Sequence, residues 1–127
     1  MAWGADGTVP GAIAIPTITV NAMEACPCCG YMTLDELGHY DICDVCWWED
    51  DGQDNDDADR VWGGPNSDLS LTKARVNFIL YGINNPKEGP PKVANPAATF
   101  ARGRVFVMVD DGSAVEEPAV GWRSTRF

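Results

Sequence analysis

A chain of 127 residues, 45% apolar, suits one compact domain or a small domain with extensions, and at this size an extra staple adds useful stability. Its 19 acidic and 9 basic side chains leave a net charge of -10, which disfavours nucleic-acid phosphates and anionic membranes and favours a basic partner. No stretch reaches the roughly 20 apolar residues of a membrane-spanning helix.

Composition divides the chain into residues 1–23, 24–85 and 86–127. The first region is small and apolar. "AIAIPTITV" alternates like a strand, although Pro16 confines it to a sheet edge or to two short pieces. The opening lacks a positive n-region, and Pro10 and Pro16 interrupt its apolar part, so it reads poorly as a signal peptide. The expected compartment is therefore the reducing cytoplasm, where paired cysteines more often hold metal than form disulfides.

All five cysteines lie between Glu24 and Gly52. Cys26 and Cys29 are two residues apart, as are Cys43 and Cys46, with thirteen residues between the pairs. A CxxC turn brings two sulfurs to one side of the backbone, within reach of a single ion at about 2.3 Å. In "CPCCG" proline pre-sets φ after the first ligand, and Gly30 tolerates φ > 0 after the second. Cys28 then fills the turn, because a spacer of one or zero residues suits two tetrahedral positions poorly. The assignment is one structural zinc ion on Cys26, Cys29, Cys43 and Cys46. Flanking thiolates would raise the pKa of Cys28 and quiet it.

"YMTLDELGHYDI" fits a hairpin, with residues 31–34 going out and 39–42 returning. That gives a zinc ribbon: knuckle, strand, turn, strand, knuckle. His39, the one histidine, is expected on the exposed hairpin rather than on the metal. Seven acids crowd "EDDGQDNDDAD", but neither register starting at Asp50 or Asp54 supplies a calcium loop's ligands and glycine. The loop reads as a solvated turn or as a contact surface for a basic partner. Of Trp47 and Trp48, one should pack towards Phe78 and the other face outwards.

The best helix spans about residues 70–81, capped by Ser70 or Ser67 and stopped at Gly82. Leu71, Ala74, Phe78 and Tyr81 mark its apolar face, widened by Ile79 and Leu80, with Lys73, Arg75 and Asn77 largely elsewhere. "NNPKEGPPKVANP" reads as an extended connection. "RVFVMVDDG" reads as a buried strand ending in a turn, and Trp122 and Phe127 suggest that the last stretch docks on something. The fold class is small α+β: a zinc-ribbon hairpin, one main helix and flanking strands.

"CPCCGYMTLDELGHYDICDVCWWEDDGQDND", followed by "LSLTKARVNF", resembles the bacterial cysteine-rich CPCC proteins over about residues 24–82. The resemblance implies a small zinc-ribbon-like domain with ligands at the four positions above.

A closed four-thiolate site has no open position from which to activate water. There is also no nucleophile paired with a base, no phosphate loop and no HExxH. The expectation is a non-enzymatic, acidic protein-interaction module with a basic protein partner. Small acidic bacterial immunity and antitoxin factors offer an analogy, and an adaptor role fits equally. Alternatives are a structural subunit of a larger assembly, a nucleic-acid-related ribbon or phosphate mimic, and a thiol–disulfide protein. The hairpin 31–42 has no Lys or Arg, which weighs against direct nucleic-acid binding.

Overall fold

The structure, a computed structural model, describes residues 23–117. The expected strand at residues 12–20 and the docking of Trp122 and Phe127 lie outside the described residues.

Each CxxC turn closes a hairpin of its own. Strand β1 (Glu24–Ala25) pairs antiparallel with β2 (Met32–Leu34) around the first turn. Around the second, Ile42 bridges Glu49, the Tyr40 N–H reaches the Asp50 carbonyl at 2.8 Å, and the Asp50 N–H reaches the Asp41 carbonyl at 3.0 Å. The hairpin expected between 31–34 and 39–42 is thus replaced by two shorter ones. A tight knuckle brings its own flanks together at little loop-closure cost, so the ladders start there. The connection between them is held by carboxylates instead. Asp41 accepts from the Asp35 and Glu36 N–H groups at 3.1 and 3.3 Å, and Asp50 accepts from the Gly38 N–H at 2.6 Å.

Helix α1 (Leu71–Tyr81) starts at Ser70, whose hydroxyl accepts the Lys73 N–H at 3.0 Å, and ends at Gly82 in the left-handed region. Leu71, Ala74 and Val76 are buried with Arg75 and Asn77, whereas Ile79, Leu80 and Tyr81 are exposed. This corrects the expected face. The first two turns are enclosed on several sides, and the two polar side chains have partners inside. Arg75 Nε donates to the Pro27 carbonyl at 2.7 Å, and Asn77 Nδ2 donates to the Asn84 carbonyl at 2.9 Å. The last turn runs out into solvent.

Residues 86–104 carry two 3₁₀ turns, Pro86–Glu88 and Pro96–Ala98, and then return to the first knuckle. The Met32 N–H donates to the Ala101 carbonyl at 2.9 Å, Tyr31 bridges Arg102, and the Gly30 carbonyl accepts from the Gly103 and Arg104 N–H groups at 2.8 and 3.1 Å. Strands β3 (Phe106–Asp110) and β4 (Ser113–Glu116) form a hairpin that packs on α1. Only Phe106 and Ala114 in it are buried; Val109 and Val115 are exposed. The expected buried strand is therefore a half-covered one, because a two-stranded sheet offers a single face to the helix. The architecture is small α+β and zinc-ribbon-like: two knuckles, one main helix and two small antiparallel sheets.

Candidate metal centre

The two knuckles repeat one bonding pattern. The Cys26 N–H donates to the Tyr31 carbonyl at 2.9 Å, and the Cys43 N–H to the Trp48 carbonyl at 3.0 Å. The Gly30 N–H returns to the Cys26 carbonyl at 2.8 Å, and the Trp47 N–H to the Cys43 carbonyl at 2.9 Å. Gly30 and Trp47 hold the equivalent place, with φ of 87° and 70°. Glycine is the inexpensive residue for that backbone, and tryptophan is not. The sequence reading assigned the glycine of the first knuckle and missed its counterpart. The signal was available: Trp47 is the fourth residue after Cys43, as Gly30 is after Cys26.

Cys26, Cys29, Cys43 and Cys46 are completely buried, and their sulfurs all lie within 4.8 Å of one another. Cys26 Sγ and Cys46 Sγ are 3.6 Å apart, as are Cys29 Sγ and Cys43 Sγ. A tetrahedral ion with metal–sulfur bonds of about 2.3 Å would set its sulfurs about 3.8 Å apart. The four donors therefore fit one ion in a closed shell, and none of them is in a disulfide. Among the described residues they are the one such convergent group.

Donors are already aimed at the sulfurs. The Cys28 N–H points at Cys26 Sγ at 3.4 Å, the Val45 and Cys46 N–H groups at Cys43 Sγ at 3.3 and 3.4 Å, and the Trp48 N–H at Cys46 Sγ at 3.5 Å. Thr33 Oγ1 adds a contact to Cys43 Sγ at 3.0 Å. Such contacts spread thiolate charge in a dry site. Burial pushes the Cys29 and Cys46 thiols up, while contacts from its three sulfur neighbours, then the Thr33 hydroxyl, pull Cys43 down. Cys28 is buried in the turn, and burial pushes its thiol up, as do the charges of Cys26 and Cys43.

The sequence reading placed Arg75 largely off the apolar face, and the structure buries it. It stacks on the Phe106 ring at 4.1 Å, holds Pro27 of the first knuckle and comes within 3.5 Å of Asp54. Its signal was its spacing, four residues after Leu71 and three before Phe78, on the face that had to be buried.

The acidic run folds inward. Asp50 and Asp51 are buried, accepting the Gly52 and Gln53 N–H groups at 3.2 and 3.0 Å. Asp54 and Asp57 form a capping box, and Asp59 accepts the Thr72 hydroxyl at 2.6 Å. Arg104 bridges Asp54 at 2.6 Å and Glu116 at 2.9 Å. The expected solvated turn is thus largely a self-bonded loop. Burial raises the Asp50 carboxyl. For Asp54 burial acts the same way, but Arg104 outweighs it and holds the carboxyl below its ordinary value; Arg104 also lowers Glu116.

Trp48 is buried in the core that holds the sulfurs, and Phe78 packs against that core, while Trp47 and Trp62 are exposed. His39 is exposed beside Glu36 at 3.4 Å, away from the sulfurs. Among the described residues, no helix is long and apolar enough to cross a membrane.

A model of the family described as cysteine-rich CPCC matches residues 24–99, from β1 through the Pro-rich segment. Comparison with curated proteins and with solved structures finds no match.

Proposed function

The chain belongs to the cysteine-rich CPCC family, and on that premise we propose that it is a non-enzymatic cytoplasmic protein that holds one structural zinc ion and acts by binding another protein. Cys26, Cys29, Cys43 and Cys46 would be the ligands. The observation that carries this reading is their complete burial in a four-sulfur cluster of tetrahedral dimensions. Four protein ligands fill the shell, so the ion would supply folding energy rather than Lewis-acid chemistry.

The partner reading rests on the charge of -10, which two further units of negative charge would join when four thiolates bind one divalent ion. It also rests on exposed Trp47, Trp62, Tyr40 and Ile42, anchors of the kind that protein interfaces use. A toxin-neutralising or adaptor role fits this description. Two measurements test the proposal. Native mass spectrometry of protein purified under reducing conditions is expected to find one zinc per chain, with loss of fold on chelation. Crosslinking in the native host is expected to recover a basic protein. Metal-free folded protein with a measurable dithiol potential would instead favour the redox alternative.

A further inference from the structure

We infer that the cleft beside the second knuckle receives a lysine or arginine side chain of the protein partner; this rests on the protein-binding reading above and gives it a site. The cleft has a volume of about 140 Å³, and Ile42, Trp47, Glu49, Asn84 and Glu88 are among its walls. That is room for one long side chain, not for a packed helix.

Four features select a cation. Trp47 is 45% exposed and offers its ring beside the cleft. The ring already carries an ammonium: Lys92 Nζ lies 4.2 Å from its centroid and also donates to the Glu88 carbonyl at 3.3 Å. A tryptophan face is the best of the aromatic partners for such a charge. Asn84 is only 4% exposed, and its side-chain oxygen is buried with no hydrogen-bond partner. A buried acceptor without a donor is rare in native proteins and marks a place where a donor is wanted. Glu49 and Glu88 supply carboxylates, and neither has an ion-pair partner among the described residues.

The cleft is tied to the metal centre. The Asn84 N–H donates to the Cys46 carbonyl at 2.8 Å, and Trp47 follows Cys46 directly. Asn84 is also fixed by Asn77 on α1 at 2.9 Å. Both bonds hold the Asn84 backbone, so the residue that carries the amide and the backbone that carries the ring are in place before any partner arrives, which lowers the ordering cost of binding. Lys92 is an internal stand-in that a partner's side chain would displace.

The test is a titration of zinc-loaded, ¹⁵N-labelled protein with blocked tripeptides, acetyl-Leu-Xaa-Leu-amide, in which Xaa is lysine, arginine, norleucine or glutamate. Lysine and arginine peptides are expected to shift the Trp47 indole and the Glu49, Asn84 and Glu88 resonances at least several-fold more than the other two. Lys92→Met, at an exposed position, should tighten the lysine peptide about threefold by removing the competitor, and Glu88→Gln should weaken it by a similar factor. Equal shifts with norleucine overturn the cation site. Shifts elsewhere overturn the location but leave the protein-binding reading standing. A lack of any shift also overturns it, and the crosslinking experiment then judges the wider reading separately.

Discussion

Arg75 donates its Nε hydrogen to the carbonyl of Pro27 at 2.7 Å, tying the centre of the helix to the turn of the first knuckle. The guanidinium is 2% exposed, lies on the Phe106 ring and approaches Asp54. One side chain thus joins the knuckle, the acidic loop and the C-terminal hairpin. Burial lowers its pKa, followed by the charge of Arg104.

Arg75→Met should therefore cost more than its volume suggests. It keeps most of the stem but leaves the Pro27 carbonyl without its side-chain donor and removes a positive charge near the sulfur cluster. The expected loss is about 3 kcal/mol, in the range for breaking buried charged hydrogen bonds. Arg75→Lys should rescue little, since an ammonium cannot reproduce the planar fork or its stacking. Denaturant unfolding of the metal-loaded protein measures the loss. The same variant should release metal faster to a competing chelator, and an unchanged rate would show that Arg75 serves packing alone.

The five cysteines should split into four and one. Serine at Cys26, Cys29, Cys43 or Cys46 places a poor ligand in a closed shell, and each is expected to lose stoichiometric zinc and the folded state together. Cys28→Ala removes one buried sulfur from the turn and should cost about 1 kcal/mol while keeping one zinc per chain. Metal content and circular dichroism of the five variants check this. Zinc loss in the Cys28 variant would reopen the ligand assignment.

The spacing of the cysteines made the sulfur cluster legible, because CxxC geometry is local and needs no knowledge of the rest of the chain. Ser70 and Gly82 marked the helix for the same reason. What sequence could not show was decided by long-range partners. Spacing put Arg75 beside Leu71, but its partner, the Pro27 carbonyl, lies 48 residues away, and Asn77 looks like a solvent residue until the Asn84 carbonyl is seen to meet it. The acidic run looked solvated because its acceptors find N–H groups of their own loop, a matter of turn geometry rather than composition. The strand pairing was misplaced because two local hairpins compete with one longer one.

Acid should weaken the Arg104 junction. Asp54 and Glu116 are held below their ordinary values, so their contribution is fully present above the usual carboxylate range of about 4 and is lost as pH falls through the lower folded-state values. Asp50 acts oppositely: its raised value makes its contribution more favourable as pH falls. Asp54 is 46% exposed, so solvent screening limits the junction to about 1 kcal/mol at pH 7. The stability difference between wild type and Arg104→Met should shrink towards zero below pH 4. Taking that difference at each pH cancels the thiolate protonation common to both proteins. A difference that stays constant would mean that Arg104 acts through Phe106 and not through the carboxylates.

Gly30 and Trp47 occupy equivalent turns, and their substitutions should behave in opposite ways. At Gly30 a Cβ would overlap the Arg104 carbonyl oxygen, and φ is already positive. The neighbour is backbone, its own N–H bonded to the Gly30 carbonyl at 3.1 Å, and cannot give way cheaply. Gly30→Ala is expected to cost at least 3 kcal/mol or to prevent folding. Trp47→Gly removes a side chain from a left-handed position, relieving about 1 kcal/mol of backbone strain. It forfeits a half-exposed ring and the Lys92 contact, worth a comparable amount. The two effects nearly cancel, so its melting temperature should stay within a few degrees of wild type, with zinc retained. A fold that tolerates glycine at 47 and nonetheless carries tryptophan there has placed the ring for a purpose other than stability. A large loss of stability in Trp47→Gly would reverse that conclusion and make the indole a cover for the second knuckle.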